Sequence, residues 1–431
     1  WGLYVNVEPV NEKFLVDHFG TKNNAFFKCN PENLNIQIGG ENSNLSNSHG
    51  NDSSDYYNYY DLKSDYGWSQ LYDLIDTLNN NSDSAYKLLN IDRALWMHAF
   101  NYSLINYDSY IGYGQNYYLY KQPSLEFSPI LWDMNMSFGG FRLTDASQLY
   151  FNGFNISQAQ NMDPFIHYYT PFISPRPLIE KLFQSPRNRK MFMAHIRTIV
   201  EENFLNQNYY SIAQYLQNII DTSVQNDTNK FYSYNDFTNN LNSQVALPAS
   251  ICPGISQLID SRANYLSGYS GFNGAPSISN INPQSLIFGN NFYINADVSS
   301  SSDVALYFRF GENMRFKEIK MYDDGNHNDG LANDGTFGAL ISNSSNSVDY
   351  YIYAENDSAG IFSPERAAHE FYSISSNIPQ SNLVINEVMS NNKSTVSDNS
   401  GKYDDWIELF NNSSTPVSTN GLFFSDNLQN I

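Results

Sequence analysis

Cysteine is nearly absent, with two in 431 residues, Cys29 and Cys252, too few for a disulfide framework and without metal-ligand spacing. The two either pair across the first domain in an oxidising compartment or stand as separate buried thiols. Cations are scarce as well, 23 Lys and Arg against 44 Asp and Glu, which leaves a formal net charge of −21. That balance disfavours nucleic acid and anionic membrane surfaces and favours divalent cations. No apolar run approaches the ~18 residues of a membrane-spanning helix. Charge of either sign is thin, at 16% of residues, while aromatics also reach 16% and Asn, Ser and Tyr are plentiful. A surface of neutral amides and hydroxyls suits an exported protein, extracellular or at the cell surface.

The length accommodates two or three domains, each able to bury its own core. The chain opens on Trp1 in strand-like sequence and stops at Ile431 without a natural close, so it reads as a fragment whose start says nothing about a leader. Residues 3–8, LYVNVE, alternate as a strand does, and Glu8 leads into a helix reaching Phe19. Residues 30–66 are polar, with little periodicity, and read as a long surface loop. Leu71, Leu74, Ile75 and Leu78 recur at helical spacing, and Ile91 to Leu104 forms a second helix with Asp92 as cap or first-turn acid. Trp96, Ala99 and Phe100 are its core candidates. His98 fits a core or surface polar position better than a base.

Residues 106–140 carry the chemistry. Asp108 sits in a polar, aromatic-rich turn, Asn116 to Lys121 reads as a strand, and the apolar run Phe127 to Trp132 ends on Asp133. Asn135 follows two residues later, with Gly139 and Gly140 beyond. Period-2 spacing puts Asp133 and Asn135 on one side of an extended segment, a sparse oxygen supply suited to a hard cation that also bridges phosphates. An Asp in such a turn also serves to cap backbone amides, and Asn116 has a structural reading.

This stretch resembles the core of the CotH family, the spore-coat-H type of atypical secreted protein kinase. The matching residues are Asn106-Tyr107-Asp108-Ser109-Tyr110, Asn116 to Tyr120, and Trp132-Asp133-Met134-Asn135 with Phe138-Gly139. The resemblance implies a kinase-like α+β domain that uses ATP with Mg or Mn. It makes Asp108 the residue that orients the acceptor hydroxyl and Asp133 the metal-holding Asp, with Asn135 beside it where many members carry a second Asp. On the nucleotide side it implies Glu8 and Lys28 of the Phe27-Lys28 pair; Asn116 is a further candidate there, and Arg142, two residues past the glycine pair, is within reach of a phosphate. The phosphate-gripping Lys of kinase-like folds and its partner Glu are then expected upstream of Trp1. Arg176-Pro177-Leu178 and Arg187-Asn188-Arg189 resemble the family too, although charge clusters of this kind usually mark solvated helix starts.

Helical patterns follow from Pro177, over Leu178 to Phe183, Arg187 to Phe204, Tyr210 to Val224, Phe231 to Leu241 and Ile255 to Leu266. Strands followed by a helical block indicate an α+β domain over residues 1–267. Residues 268–283 are rich in Gly, Ser and Pro and read as a linker. Short alternating segments at 8–12 residue spacing then signal an all-β module over 284–376 that resembles an immunoglobulin-like sandwich. Its loop at 323–335 gathers Asp323, Asp324, Asn326, Asn328, Asp329 and Asp334, oxygen enough to wrap a calcium ion. An Asx-turn hairpin without metal fits the same residues. Its glycine falls one place late for an EF-hand and no closing Glu follows. Residues 380–431 resemble the opening of a lamin-tail domain through Ile385-Asn386-Glu387, Asp405-Trp406-Ile407-Glu408-Leu409 and the stretch from Gly421.

Three functions remain open at this point. One is a protein kinase acting on Ser or Thr of a surface or secreted protein. Another is a silent surface protein that binds partners or glycans through this fold and its β modules. A hydrolase with paired carboxylates is the third, and it has no family match behind it.

Overall fold

An antiparallel sheet frames the first part of the chain. The computed structural model describes residues 3–36, 41–142, 147–148, 153–170, 172–247, 251–287, 290–342, 345–375, 382–420, 422 and 424. The sheet holds β1 (Phe26–Cys29), β2 (Asp61–Leu62), β3 (Tyr117–Lys121) and β4 (Phe127–Leu131) in the order β2-β1-β3-β4. Alternation sends Phe27, Cys29, Tyr117 and Leu119 into the main core, and Phe26, Tyr118 and Tyr120 to the opposite face. There α1 (Glu12–Phe19) covers them with Phe14, Leu15 and Phe19. The helix starts where the Asn11 side chain accepts the amides of Lys13 and Phe14, and it stops at Gly20 in the left-handed region.

Two expectations for this region are corrected. Residues 3–8 form no strand and lie exposed, because alternation produces a strand only where a sheet edge accepts its hydrogen bonds. The edge strand β4 is already met by the segment before the third helix, with Asn90 N donating to Phe127 O at 2.9 Å. The polar stretch 30–66 is not all surface, since Asn42 through Ser46 are buried. Their polar groups find partners: Asn42 Nδ2 donates to Tyr113 O, Asn44 Nδ2 to Pro175 O, and the Tyr110 and Tyr117 hydroxyls to Asn44 O and Ser43 O. Polar sequence is thus carried inside as a bonded layer.

The helical half contains α2 (Trp68–Asn80), α3 (Ile91–Ser103), α4 (Pro186–Ile199), α5 (Asn208–Asn226) and α6 (Ile255–Ser267). The side chain capping α3 belongs to Asn90, which accepts Arg93 N, while Asp92 in the first turn looks outward to later parts of the chain. The residues from Pro177 open a short helix as expected. Arg176, however, is fully buried and not solvated. Both cysteines are free, with Cys29 buried and Cys252 partly so.

Beyond residue 267 two antiparallel sheets pack face to face. One contains β5 (Ser277–Pro283), β6 (Phe292–Ser299) and β9 (Thr336–Ile341). The other contains β7 (Asp303–Arg309), β8 (Lys317–Lys320), β10 (Ser347–Glu355), β11 (Gly360–Ser363) and β12 (Tyr372–Ser375). Val304, Leu306 and Phe308 of β7 meet Ile294, Ala296 and Val298 of β6 in the sandwich core, with Val348, Tyr350 and Ile352 of β10. The alternate residues of β10, Tyr351 and Tyr353, join the core of the first domain together with Phe362 and Ala367. The sheet is therefore buried on both faces, and the two domains share one apolar interior.

The Gly/Ser/Pro-rich stretch is accordingly no loose tether. Its Phe272 is buried and its end forms β5. Arg197 of α4, itself buried, donates to Phe272 O, Gly271 O and Gly360 O at 2.6, 2.8 and 2.9 Å. Lys190 pairs with Glu355 at 3.1 Å, and Arg187 with Glu318 at 2.8 Å. Farther on, β13 (Leu383–Met389) and β14 (Trp406–Asn411) form a hairpin that leaves Ile385, Val388, Ile407 and Phe410 exposed. Of the stretch from Gly421, only residues 422 and 424 are among those described.

A shared core predicts shared unfolding. The full chain should melt through residue 375 in one transition, and Arg197→Met should lower its stability by about 2–4 kcal/mol, because three carbonyls lose a charged donor. Differential scanning calorimetry checks this, and the variant's sandwich should separate as a second transition.

Candidate active site

The site is made where α3 ends and the β3–β4 hairpin closes. At the C-terminus of α3, Ile105 takes the left-handed conformation usual for glycine at that position, φ +51°, and Asn106 N reaches back to Asn101 O at 2.9 Å. For a β-branched residue this backbone is strained by about 1–2 kcal/mol. The reversal carries the chain straight into Asn106, Tyr107 and Asp108. Asn106 and Tyr107 are fully buried, and Asp108 is the half-open position of the turn.

Two residues that sequence reasoning left out of the site hold this turn. Gln115 Nε2 donates to Asp108 Oδ1 at 2.6 Å, and buried Arg176 donates to Ile111 O at 3.1 Å and Gly112 O at 2.7 Å. The signal for Arg176 was present in the Arg-Pro-Leu match, but a charged residue before a helix reads as solvated until the fold buries it. Asn116, also left-handed at φ +60°, donates its Nδ2 to Asp108 O at 2.8 Å. The structure thus ties Asn116 to the turn itself.

The expected extended geometry of Asp133 and Asn135 is overturned. β4 ends at Leu131, Asp133 turns left-handed at φ +56°, and Met134 to Met136 form a 3₁₀ turn, so the two side chains do not share one side of a strand. Both are exposed. The turn lies over α3's end, with the Asn106 amide donating to Met134 Sδ at 3.3 Å, Gly139 N to Ile105 O, and Tyr107 N to Phe141 O. Gly139 is required where it stands: its φ is +69°, and a Cβ would lie 3.1 Å from Leu258 and Pro253.

Asp108 and Asp133 therefore come together, from a turn and a strand end. Burial raises the Asp108 carboxyl above the usual range, Asp133's charge adds to that, and the Gln115 and Asn116 amides oppose it. Asp133 makes no capping bond to the turn that it starts. The buried Asn106, whose amide nitrogen reaches Met134 next in sequence to Asp133, has an Oδ1 without a hydrogen-bond partner. Two carboxylates and an unmatched amide oxygen are the donor chemistry of a hard divalent ion that also keeps phosphate and water ligands, so the residues present fit one. Among the described residues no cluster of three or more His, Cys, Asp or Glu is arranged to cage a metal alone.

The other nucleotide-side residues are dispersed. Lys28 lies on the α1 face of the sheet with its Nζ 6.0 Å from the Tyr118 ring, and Trp132 packs edge-on against the same ring. The Tyr118 ring thus lies between Lys28 and Trp132, the residue before Asp133. Glu8 is exposed and lies 3.4 Å from His18, away from either Asp in its contacts. Arg142 is buried and donates to Gly139 O at 3.0 Å, which fixes the glycine turn and does not present a free guanidinium to a phosphate.

In the sandwich loop the carboxylates are engaged by backbone amides. Asp329 accepts from Asp324 N, Gly325 N and His327 N, Asp334 from Leu331 N and Thr336 N, and Asp323 from Asp334 N and Gly335 N. Asp324 accepts from Asn326 N and His327 Nδ1. The Asn326 amide donates to Asp324 O, and Asn328, left-handed at φ +58°, offers its carbonyl to Asn295. This is an Asx-turn network. For Asp329 burial works to raise the carboxyl, but the Gly325, His327 and Asp324 amides outweigh it and hold it low. Hydrogen bonds from Leu331 and Thr336 hold Asp334 low as well.

Carboxyls depressed in the folded state stabilise it above their unfolded values, about pH 4. That contribution is lost as pH falls through the lower, folded values. Asp329→Asn should therefore lower the melting temperature at pH 7, and that effect should shrink progressively as pH falls below about 4. A rise in the melting temperature of the native chain on adding calcium, reversed by a chelator, would support the metal reading of the loop, and no change with either would support the Asx-turn reading.

A family model described as CotH kinase protein matches residues 1–266. No curated protein matches significantly. A solved structure described as "Crystal structure of Br derivative BhCBM56" aligns at 14% identity over 22% of this chain and 88% of its own, with a TM-score of 0.17, an overlap that carries no argument about fold or ligand. The family match spans more than half of the 431 residues and contains both Asp108 and Asp133, and the chain belongs to the CotH kinase protein family.

Proposed function

We propose that this protein is an exported CotH-type kinase that transfers the γ-phosphoryl group of ATP to a Ser or Thr hydroxyl of a surface or secreted protein. The observation that carries the proposal is the convergence of Asp108 and Asp133, with Gln115 and Asn116 holding the first. In this reading a Mg or Mn ion bound with ATP neutralises charge developing on the phosphates. Asp133 is the carboxylate that holds it, with Asn106 and the uncharged Asn135 as neutral oxygens nearby.

Asp108 orients the acceptor hydroxyl and takes up its proton. Gln115 fixes its rotamer, and burial beside Asp133 makes it a stronger base than a solvated Asp. The half-open turn admits a hydroxyl while Arg176 and the buried 42–46 layer keep the backbone from yielding. Lys28 is a cation on the α1 face of the sheet and Glu8 an acid whose contact is with His18. The β-sandwich and the β13–β14 hairpin, immunoglobulin-like and lamin-tail-like in this proposal, serve recognition of the surface partner.

A silent surface protein using the same modules for adhesion or glycan binding is the second reading. It is favoured by Asn135, which adds no charge, and by Arg142, which is committed to Gly139 O.

Calorimetry of Mg·ATP binding separates the two. Metal-dependent binding lost in Asp133→Ala supports the kinase, and no binding favours the silent protein. Asp108→Asn should keep Mg·ATP binding yet lower phosphoryl transfer by about 10²–10⁴-fold. The same change should raise the melting temperature at pH 7, because a carboxyl whose pKa is raised by folding opposes folding once ionised. That gain should shrink as pH falls through the raised value towards the ordinary one, about 4.

A further inference from the structure

The two elements that deliver the site both have their far ends in the grip of the β-sandwich. At the tip of the β3–β4 hairpin, Glu126 is buried and its Oε1 meets Arg315 Nε at 2.8 Å. The other arm of the same guanidinium donates from Nη2 to Lys87 O at 2.7 Å. Lys87 to Asn90 is the segment that leads into α3 and is itself bonded to the hairpin, with Phe127 N donating to Leu88 O at 2.7 Å. Arg315 thus bridges the hairpin tip to the approach of α3 from a loop between β7 and β8.

The N-terminus of α3 is held by the same domain. Asp92 Oδ2 accepts Ala368 N at 3.1 Å while Oδ1 meets His195 Nε2 at 2.9 Å, and Trp96 Nε1 donates to Ala367 O at 3.1 Å. Arg93 lies against His369 at 2.5 Å. From these anchored ends, α3 runs to the turn bearing Asp108, and the hairpin runs back to Asn116 and Asp133.

We infer that the β-sandwich is a positioning element of the CotH site, and that Arg315, through Glu126 and Lys87 O, is the residue that fixes the β3–β4 hairpin relative to α3. A hairpin and a helix are stiff over this length, so a displacement at their anchored ends becomes a displacement between Asp108 and Asp133. Burial pushes the Glu126 carboxyl up to about 7, and Arg315 is the charge that counters it. Replacing Arg315 leaves a buried acid without its partner, which loosens the tip without touching either Asp. The inference rests on the phosphotransfer reading for its meaning, but not for its first test.

Hydrogen exchange on the full, ligand-free chain reads the hairpin directly. Arg315→Ala should speed exchange of the amides over residues 117–131 by about tenfold, the loss expected for one charged hydrogen bond. Arg315→Lys should fall between. Lys190→Ala, which removes the interdomain pair with Glu355 and does not touch the hairpin, should leave those amides unchanged. Unaltered hairpin exchange in Arg315→Ala, or equal acceleration in Lys190→Ala, overturns the assignment.

If the native chain binds Mg·ATP, Arg315→Ala should weaken that binding several-fold. Unchanged affinity with a loosened hairpin would show that motion at the tip does not reach Asp133, and would overturn the positioning role. Failure of the native chain to bind Mg·ATP would instead count against the phosphotransfer reading and leave the exchange result standing.

Discussion

The pairing of β3 with β4 is the constraint on which the rest of the first domain depends. Its register sets Tyr117 opposite Leu131, so the residues just outside the ladder at its open end, Asn116 before β3 and Trp132-Asp133 after β4, must lie side by side. Asn116 then ties to the Asp108 carbonyl, and Asp133 falls within electrostatic reach of the Asp108 carboxyl. A slip of one residue would send Tyr118 and Tyr120 into the main core and Tyr117 and Leu119 towards α1. Tyr117 resists this, because its hydroxyl is bonded to Ser43 O inside the protein. Hairpin register and the placement of the two acids are one and the same fact.

The site is also where backbone strain collects. Ile105, Asn116, Asp133 and Phe138 all adopt positive φ. Asn and Asp tolerate this region through their short polar side chains, whereas Ile and Phe do not. Such positions persist only where packing over-determines them. Ile105 is completely buried, and the backbone around it is closed by Gly139 N and by the helix-ending bond from Asn106. The cost is met by the core, and in exchange the chain changes direction within one residue on either side of the two acids. Arg176 completes the support from below by occupying the carbonyls of Ile111 and Gly112.

Much of this was legible in the sequence where a residue's local pattern and its tertiary role agree. The helices at 68–80, 91–103 and 255–267 follow from apolar spacing, and the sandwich strands follow from alternation, because in each case one face meets a core. The pairing of Asp108 with Asp133 came from resemblance, not from periodicity, which instead put Asp133 and Asn135 on a strand that ends earlier. Local pattern failed wherever long-range bonding decides. The Asn-Ser-Asn-Leu-Ser layer at 42–46 looks like a loop in composition and is interior by hydrogen bonding, and Arg176 and Arg142 look like surface charges and are buried donors to carbonyls. The strand expected at 3–8 had the right alternation and pairs with no edge of the sheet.

The same distinction explains why the second domain was expected to be an appendage. A Gly/Ser/Pro-rich stretch signals a tether only if nothing in it is buried, and here Phe272 and the carbonyls beside it are fixed by Arg197. The alternation of β10 reads as a strand with one apolar and one semi-polar face, Val348, Tyr350 and Ile352 against Asp349, Tyr351 and Tyr353. Tyrosine can serve either water or an interface, and here Tyr351 and Tyr353 enter the interior of the first domain. A sandwich sheet with two buried faces cannot be removed without exposing the far ends of α3 and the β3–β4 hairpin. The elements that carry the two acids at their near ends are therefore anchored at their far ends by residues beyond the composition boundary near residue 268.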